Sequence, residues 1–387
     1  MMSVEEMNKM KVVVIAGKNS GKIKKIMNFI GIKDVMFCNN SGIADDKIAF
    51  LPDVLKEIKE NQEKYLFVLS INPIYHYQIL IQLNSEIIDQ SRFCIMYPSE
   101  LEVIFSNEMK RRKDIIDYQP DYSQLVENWA NNLMSEVMFW KEEVLTEGKR
   151  CFADAVEKNN KHDFSCNRVQ LFNGCRVLDI GCGLIYKWGN VYEDGEYIPI
   201  DPLAYYYNKL YESWGYRNDY RKKTMFGMFE FISRFFDKQA DFILIDNALD
   251  HCIDPLKSLL ECSRLLKIGG VISLFSYEDE SVNAQDWGLH KWNLSVNYVN
   301  ELIIWNFDHF VNVNKYLEKY YSFEIVEDET WFHPSVGRHR TFAINMTKKM
   351  ELPQEFYPDD SCAMAKLIDV LSRVLVSSDY HEEYQKL

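Results

Sequence analysis

Two periods of apolar residues alternate along the chain. Short unbroken apolar runs mark strands buried on both faces, and between them lie stretches where apolar residues return every third or fourth position, as on amphipathic helices. In the first third, residues 11–15 (KVVVI), 35–38, 65–70 and 93–96 read as strands, and a helix after the turn AGKNSGK places Ile23, Ile26, Met27 and Ile30 on one face. This spacing predicts a small doubly wound parallel module over residues 1–120, ending near the polar pair Gln119 and Pro120. Residues 123–146 carry Leu125, Trp129, Leu133, Val137 and Trp140 at helical spacing, which predicts a connecting helix within 121–150. The alternation then resumes over 151–350. Strands are predicted at 176–180, at 197–200 and from 240, followed by a helix, a turn at Gly269 and Gly270, and a strand into Tyr277. A terminal amphipathic helix is expected within 351–387. The fold class is therefore α/β, with two doubly wound Rossmann-like domains.

The chain has 387 residues, 47% of them hydrophobic and 14% aromatic, enough for two real cores. Its net charge of -14 repels phosphate backbones, and its dense basic run is KRRK at 110–113, so no nucleic-acid partner is expected. Nine cysteines, odd in number and without a Cys-x-x-Cys pair, argue against a disulfide framework or a zinc ribbon and for a reduced, cytoplasmic setting. The acidic start MMSVEEMNKM and the lack of a long apolar run argue against secretion and membrane insertion.

Candidate chemistry concentrates in residues 176–190, RVLDIGCGLIYKWGN. Apolar residues run into Asp179, and Gly181 and Gly183 flank Cys182, the shape of a buried strand ending in a tight turn that lets backbone approach a ligand. A dinucleotide fingerprint needs a third glycine where Tyr186 stands. Asp201, at the tip of the next strand and ahead of Pro202, is placed to accept ribose hydroxyls, to cap the following helix, or both. In the first module, Ala16, Lys18, Gly21 and Asn39 occupy the dinucleotide positions, and Ile23 replaces the magnesium-holding hydroxyl of a phosphate loop, so neither NAD nor ATP is expected there. Residues 72–75 (NPIY) nearly spell a DNA amino-methyltransferase motif, but the charge is wrong for DNA.

The turn hydrophobic-hydrophobic-Asp-x-Gly-x-Gly, with the strand, helix, glycine turn and strand of 240–277, resembles class I S-adenosylmethionine-dependent methyltransferases. The segments IDPLAYYY (200–207), NALDHCIDP (247–255) and GLHKWNL (288–294) resemble a bacterial subfamily associated with surface-polysaccharide and nucleotide-sugar modification. The resemblance spans about residues 125–349. It implies S-adenosylmethionine as cofactor, with Asp179, Gly181, Cys182 and Gly183 at its amino-acid end and Asp201 and Pro202 at the ribose. Met228 and Phe229 would meet the adenine, where the family commonly has an acid and this chain has Glu230 close by; Asp246 and Asn247 would close the set at the fourth strand. Glu136 and Trp140 match a Glu/Trp-containing helix at the family's active-site edge. The first module resembles those ahead of some sugar-modifying enzymes, a scaffold or a homo-oligomer contact.

Such chemistry requires an acceptor in line with an activated methyl group and, for a hydroxyl, removal of a proton. It requires no metal, and none is expected. His290, in the GLHKW insertion, is the favoured base, with His251 after the fourth strand as its rival or helper. Trp287 and Trp292 flank His290 and either stack on a sugar acceptor or close over the core. The reading is O-methyl transfer to a sugar or nucleotide-linked sugar. Its alternatives are a small-molecule or quinone-type methyltransferase and a module that binds the cofactor or a nucleotide-sugar without turnover.

Overall fold

The computed structural model describes residues 2–15, 20–32, 35–39, 49–50, 54–56, 64–69, 79, 83, 93–111, 118, 120–143, 168–169, 171–184, 195–213, 223–284, 287–333, 337–357 and 361–375. Expectations placed on residues 16–18, 72–75 and Tyr186 fall outside them. The chain divides into two compact units, Met1–Arg112 and Lys113–Leu387.

In the first unit β1 (Lys11–Ile15), β2 (Val35–Asn39), β3 (Ala49–Phe50), β4 (Tyr65–Leu69) and β5 (Phe93–Met96) form a parallel sheet in the order β3-β2-β1-β4-β5. The central strands β1 and β4 are apolar and buried almost end to end, as strands covered on both faces must be. Helix Ser20–Phe29 buries Ile23, Ile26 and Met27. Helix Pro98–Arg111, absent from the sequence reading, packs Phe105 on Phe29 at 4.5 Å. Its signals were present. Proline begins it, Glu100 lies in the first turn, and Lys110 and Arg111 in the last complement the helix dipole, which gives part of the KRRK run a structural purpose.

The second unit is built on β6 (Arg176–Ile180), β7 (Glu196–Asp201), β8 (Met225–Phe226), β9 (Ala240–Asp246), β10 (Leu266–Tyr277), β14 (Tyr321–His333) and β15 (Gly337–Lys348), in the order β14-β15-β10-β9-β6-β7-β8. Strands β6 to β10 are parallel; β15 runs antiparallel between β10 and β14. From β6 the chain builds outward through β7 and β8, then crosses to β9 and builds the other way. The crevice at that reversal, outside the carboxyl ends of β6 and β9, is where open α/β sheets bind ligands. Gly269 and Gly270 differ from expectation. They lie inside β10, in an irregular stretch between the pairs Leu266–Ala240 and Val271–Phe242, because the ladder resumes with a shifted register.

One core joins the sheet to helix Pro255–Leu265 and to a small antiparallel sheet of β11 (Asn293–Val296), β12 (Leu302–Trp305) and β13 (Phe310–Asn312). Another packs helix Tyr122–Glu143, through Val126, Trp129, Leu133 and Val137, against Tyr206 and Tyr207 of helix Ala204–Ser213 and Leu367 and Val370 of helix Ser361–Leu375. No helix among the described residues is long and apolar enough to cross a membrane.

Lys348, fully buried, ties three elements together: its Nζ donates to Ser263 O at 2.8 Å, Leu266 O at 2.8 Å and Glu351 Oε2 at 2.6 Å. Lys348→Met keeps the volume but orphans two buried carbonyls, so it should destabilise this unit by about 2–4 kcal/mol. All eight tryptophans lie beyond residue 112, so urea unfolding followed by tryptophan fluorescence reads this unit alone; a midpoint equal to wild type would refute the role.

Candidate active site

A cavity of about 610 Å³ opens at the strand reversal of the second unit, a size suited to a small-molecule cofactor and acceptor. Every site residue singled out in the sequence lines it except Trp292. That tryptophan is fully buried, stacked on Tyr118 at 5.5 Å and donating through Nε1 to Ile253 O at 3.2 Å. Just ahead of β11 it joins the core cluster, so it is withdrawn as a substrate residue; Trp287, 55% exposed, stays at the cavity.

The floor is the turn after β6. Gly181 has φ +71°, and a Cβ on it would lie 2.4 Å from Ala248 Cβ and 2.9 Å from Phe229 Cε2. At this position glycine is required by the protein's own packing. Gly183, φ +61°, is different: its nearest neighbour would be Trp140 Cζ2 at 3.5 Å, so this is the glycine that leaves room beside the cavity. Gly181 N donates to Ile200 O at 2.8 Å, fixing the turn to β7. Asp201 accepts from Gly183 N at 3.0 Å and from Leu203 N at 2.8 Å, so its carboxylate orients the glycine turn while steadying the approach to the next helix beside Pro202. Asp179 is nearly buried and accepts from the Tyr197 hydroxyl. Cys182 and Met228 complete this wall with Phe229, whose ring packs at Gly181.

Glu230, close to the adenine position in the sequence, is committed elsewhere. Its Oε1 accepts from Ile253 N at 2.6 Å and Asp254 N at 3.1 Å, holding the loop after β9. Burial pushes its carboxyl up to about 7 despite those two bonds.

The opposite wall begins at the tip of β9. Asn247, at φ +52°, donates its N–H to Phe275 O at 2.9 Å, and its Oδ1 accepts from Tyr277 N at 3.3 Å. Asp246 lies 3.7 Å from Arg168, which also donates to Glu327 at 2.8 Å and lies 4.1 Å over the Phe275 ring. Arg168 was missed; no apolar pattern around it marks it, and only the fold brings it to the cavity. A short 3₁₀ turn, Leu249–His251, then presents His251, whose carbonyl accepts from Trp129 Nε1 at 2.9 Å. His290 arrives from the insertion after β10. The rings stand at 71° with centroids 4.4 Å apart, and His251 Nε2 is 3.1 Å from His290 Nδ1. Behind them lies Asp250, fully buried, with Oδ2 2.7 Å from His290 Nδ1. Glu136 Oε2 is 4.0 Å from His251 Nδ1, and Glu136 Oε1 accepts from Trp140 Nε1 at 2.8 Å.

Burial works against a charged His290, but its bond to Asp250 and the charges of Asp250, Glu280 and Glu136 outweigh it and raise its pKa. Burial likewise opposes a charged Asp250, yet the two histidines hold its carboxyl below the usual range. Glu280, raised chiefly by burial, also lines this wall. Asp250 and Glu280 were missed as site residues: one is adjacent in sequence to a candidate, the other lies in a polar stretch without a motif.

Glu230 generates a pH prediction. Its folded value near 7 exceeds the ordinary value of about 4.3 in an unfolded chain, so the fold binds its proton more tightly. The resulting stability is present below the unfolded value and is lost as pH rises through the folded one. Glu230→Gln should therefore gain stability relative to wild type between about pH 5 and about pH 8. Thermal unfolding of both proteins across that range checks it, and a pH-independent difference would overturn it.

Residues 178–274, from the glycine turn into β10, match a family described as a methyltransferase domain. No curated protein matches the chain. Among solved structures it is similar to the YcgJ protein from Bacillus subtilis at 14% identity, covering 52% of this chain and 100% of that one with a TM-score of 0.34. An arsenic(III) S-adenosylmethionine methyltransferase from Chlamydomonas reinhardtii is similar at 16% identity, 51% and 74% coverage and a TM-score of 0.33. The N-methyltransferase NodS from Bradyrhizobium japonicum, in complex with S-adenosylhomocysteine, is similar at 11% identity, 51% and 86% coverage and a TM-score of 0.29. The family match runs from the glycine turn past the strand tip at Asp201 to the wall after β9, so this stretch matches a methyltransferase domain, and its cofactor is S-adenosylmethionine.

Proposed function

We propose that the protein methylates a hydroxyl of a sugar or nucleotide-linked sugar, in the building of surface polysaccharide. The observation that carries this reading is the wall facing the glycine turn. There a paired His251 and His290 stand before a buried carboxylate, with the exposed ring of Trp287 lining the same cavity. S-adenosylmethionine supplies a methyl group already activated by its sulfonium. The chain's own residues do the rest. Gly183 leaves space beside the turn, and the Asp201 carboxylate, which holds Gly183 N and Leu203 N, stands at the strand tip where it would accept from a ribose hydroxyl. An indole face suits the apolar face of a sugar ring, and Trp287 would align the acceptor toward the glycine turn. The hydroxyl loses a proton as it attacks, and the polar cluster of His251, His290 and Asp250 is the group on this wall able to meet that change. Here a reduced, cytoplasmic setting suits nucleotide-linked acceptors, and the described cysteines are free thiols.

Asp201→Ala should cost about 1.5–3 kcal/mol of S-adenosylmethionine binding, roughly ten- to a hundredfold in affinity, as a charged hydrogen-bond partner is lost. Because Asp201 also orients Gly183, the same variant should loosen the turn, and Asp201→Asn, which keeps an acceptor oxygen, should lose less. Calorimetric titration measures both; unchanged affinity in folded variants would remove Asp201 from the site.

For the acceptor, S-adenosylhomocysteine release should be followed with a panel of nucleotide-sugars, amines and quinols. Release with the nucleotide-sugars, reduced at least about tenfold in single turnover by His290→Ala with cofactor affinity kept, is the expected result. Release with amines or quinols alone would overturn the sugar reading, and cofactor binding without release for any acceptor would favour a sensor.

A further inference from the structure

The cluster behind the acceptor wall has fewer protons than its contacts require. Asp250 Oδ2, His251 Nε2 and His290 Nδ1 lie 2.7, 3.1 and 3.7 Å from one another. If His290 Nδ1 carries a proton it serves Asp250, and His251 Nε2 can then share only that same hydrogen. A proton on Nε2 as well would put two hydrogens head to head. If Nδ1 carries none, its 2.7 Å contact with an ionised carboxylate sets lone pair against lone pair. The other oxygen, Asp250 Oδ1, is buried with no hydrogen-bond partner among the described residues, and so is Glu280 Oε2. Charge is unbalanced too. Asp250, Glu136 and Glu280 surround the two imidazoles, and the basic residue among the described cavity lining, Arg168, is paired with Glu327 and Asp246.

We propose that Asp250, His251 and His290 together bind one divalent first-row transition cation, with its remaining coordination positions open to the cavity. Ligand atoms about 2.1 Å from a common centre, in octahedral or tetrahedral arrangement, stand about 3.0–3.4 Å apart. The three separations, 2.7 to 3.7 Å, bracket that range. Two imidazoles and a carboxylate select Mn²⁺, Fe²⁺, Co²⁺ or Zn²⁺ over Mg²⁺ or Ca²⁺, which prefer oxygen alone. Outer groups support the set. With Nε2 on the metal, the His251 proton sits on Nδ1, facing Glu136, itself held by Trp140. Trp129 holds the His251 carbonyl, and His290 N donates to Trp287 O at 3.2 Å, so both ligand-bearing backbones are fixed from outside.

The site rests on this geometry alone; only its role rests on the methyl-transfer reading. An acceptor hydroxyl in an open position would lose its proton to water more readily, and its oxygen would be held facing the glycine turn. The sequence reading expected no metal, since the donor chemistry needs none and an Asp-His pair joined to a distant histidine forms no recognised spacing.

The test uses the full chain, stripped by a chelator, dialysed, and titrated with Co²⁺. Visible absorption reports coordination and elemental analysis the stoichiometry. One Co²⁺ per chain is expected, with affinity lowered at least about tenfold by His251→Ala and by His290→Ala, both partly exposed and expected to fold. Cofactor affinity, measured by calorimetry on the same preparations, should stay within about twofold, because neither residue belongs to the glycine turn or to the strand tip at Asp201. No saturable Co²⁺ signal in wild type, or equal binding in wild type and His290→Ala, overturns the site. A chain that binds no Co²⁺ yet releases S-adenosylhomocysteine keeps the methyl-transfer reading and loses the cation. One that binds Co²⁺ and releases nothing with any acceptor keeps the site and loses that reading.

Discussion

The site depends on how closely Gly181 approaches Ala248 and Phe229. No side chain fits between them: a Cβ at Gly181 would overlap that of Ala248 at 2.4 Å. The contact locks the turn after β6 to the segments after β8 and β9, and the bond from Gly181 N to Ile200 O adds β7. Twist carries neighbouring strand tips away from one another, so an open sheet left to itself splays at this end. Tying the tips at one point gives the crevice a floor, and both walls are then positioned by the strands beneath them. Asp201 extends the same economy, since one carboxylate holds both Gly183 and Leu203 and so ties the glycine turn to the tip of β7.

The fold class, the glycine turn and Asp201 were legible because each leaves a local mark. Buried strands write continuous apolar runs, and a turn at positive φ writes glycine. One helix at the second core was equally plain: Trp129, Leu133 and Val137 keep helical spacing because one face of their helix is buried. What failed was whatever depends on direction or on distant partners. Trp287 and Trp292 look alike in sequence, yet one lines the cavity and the other stacks on Tyr118 in the core. Gly269 and Gly270 suggested a turn because a shifted register uses glycine for the same reason a turn does. Arg168, Asp250 and Glu280 take their meaning from residues far along the chain or across the cavity, and no window of sequence contains both members of such pairs.

Electrostatics divides the labour between the two walls. Asp179, Asp201 and Asp246 line the cavity of a chain already at -14, a field that attracts a cationic sulfonium. Attraction to the ground state does not by itself speed the transfer, because the positive charge on the donor disappears as the methyl group leaves. The gain has to come from the acceptor side.

There the difficulty is sharper. If the acceptor is the hydroxyl we propose, its oxygen gains negative charge beside Asp250, Glu136 and Glu280 and is repelled by all three in a partly dry cavity, where charges interact more strongly than in water. A neutral histidine in front of them accepts a proton and becomes the positive charge the oxygen needs; a metal ion supplies that charge in advance. Both solutions require nitrogen donors between the carboxylates and the acceptor. The sheet provides them at that place, His251 from the turn after β9 and His290 from the insertion after β10. The buried Asp250 makes sense as the fixed charge that draws a proton or a cation to them, and its Oδ1, without a hydrogen-bond partner among the described residues, as the sign that more than one hydrogen bond's worth of negative charge is waiting there.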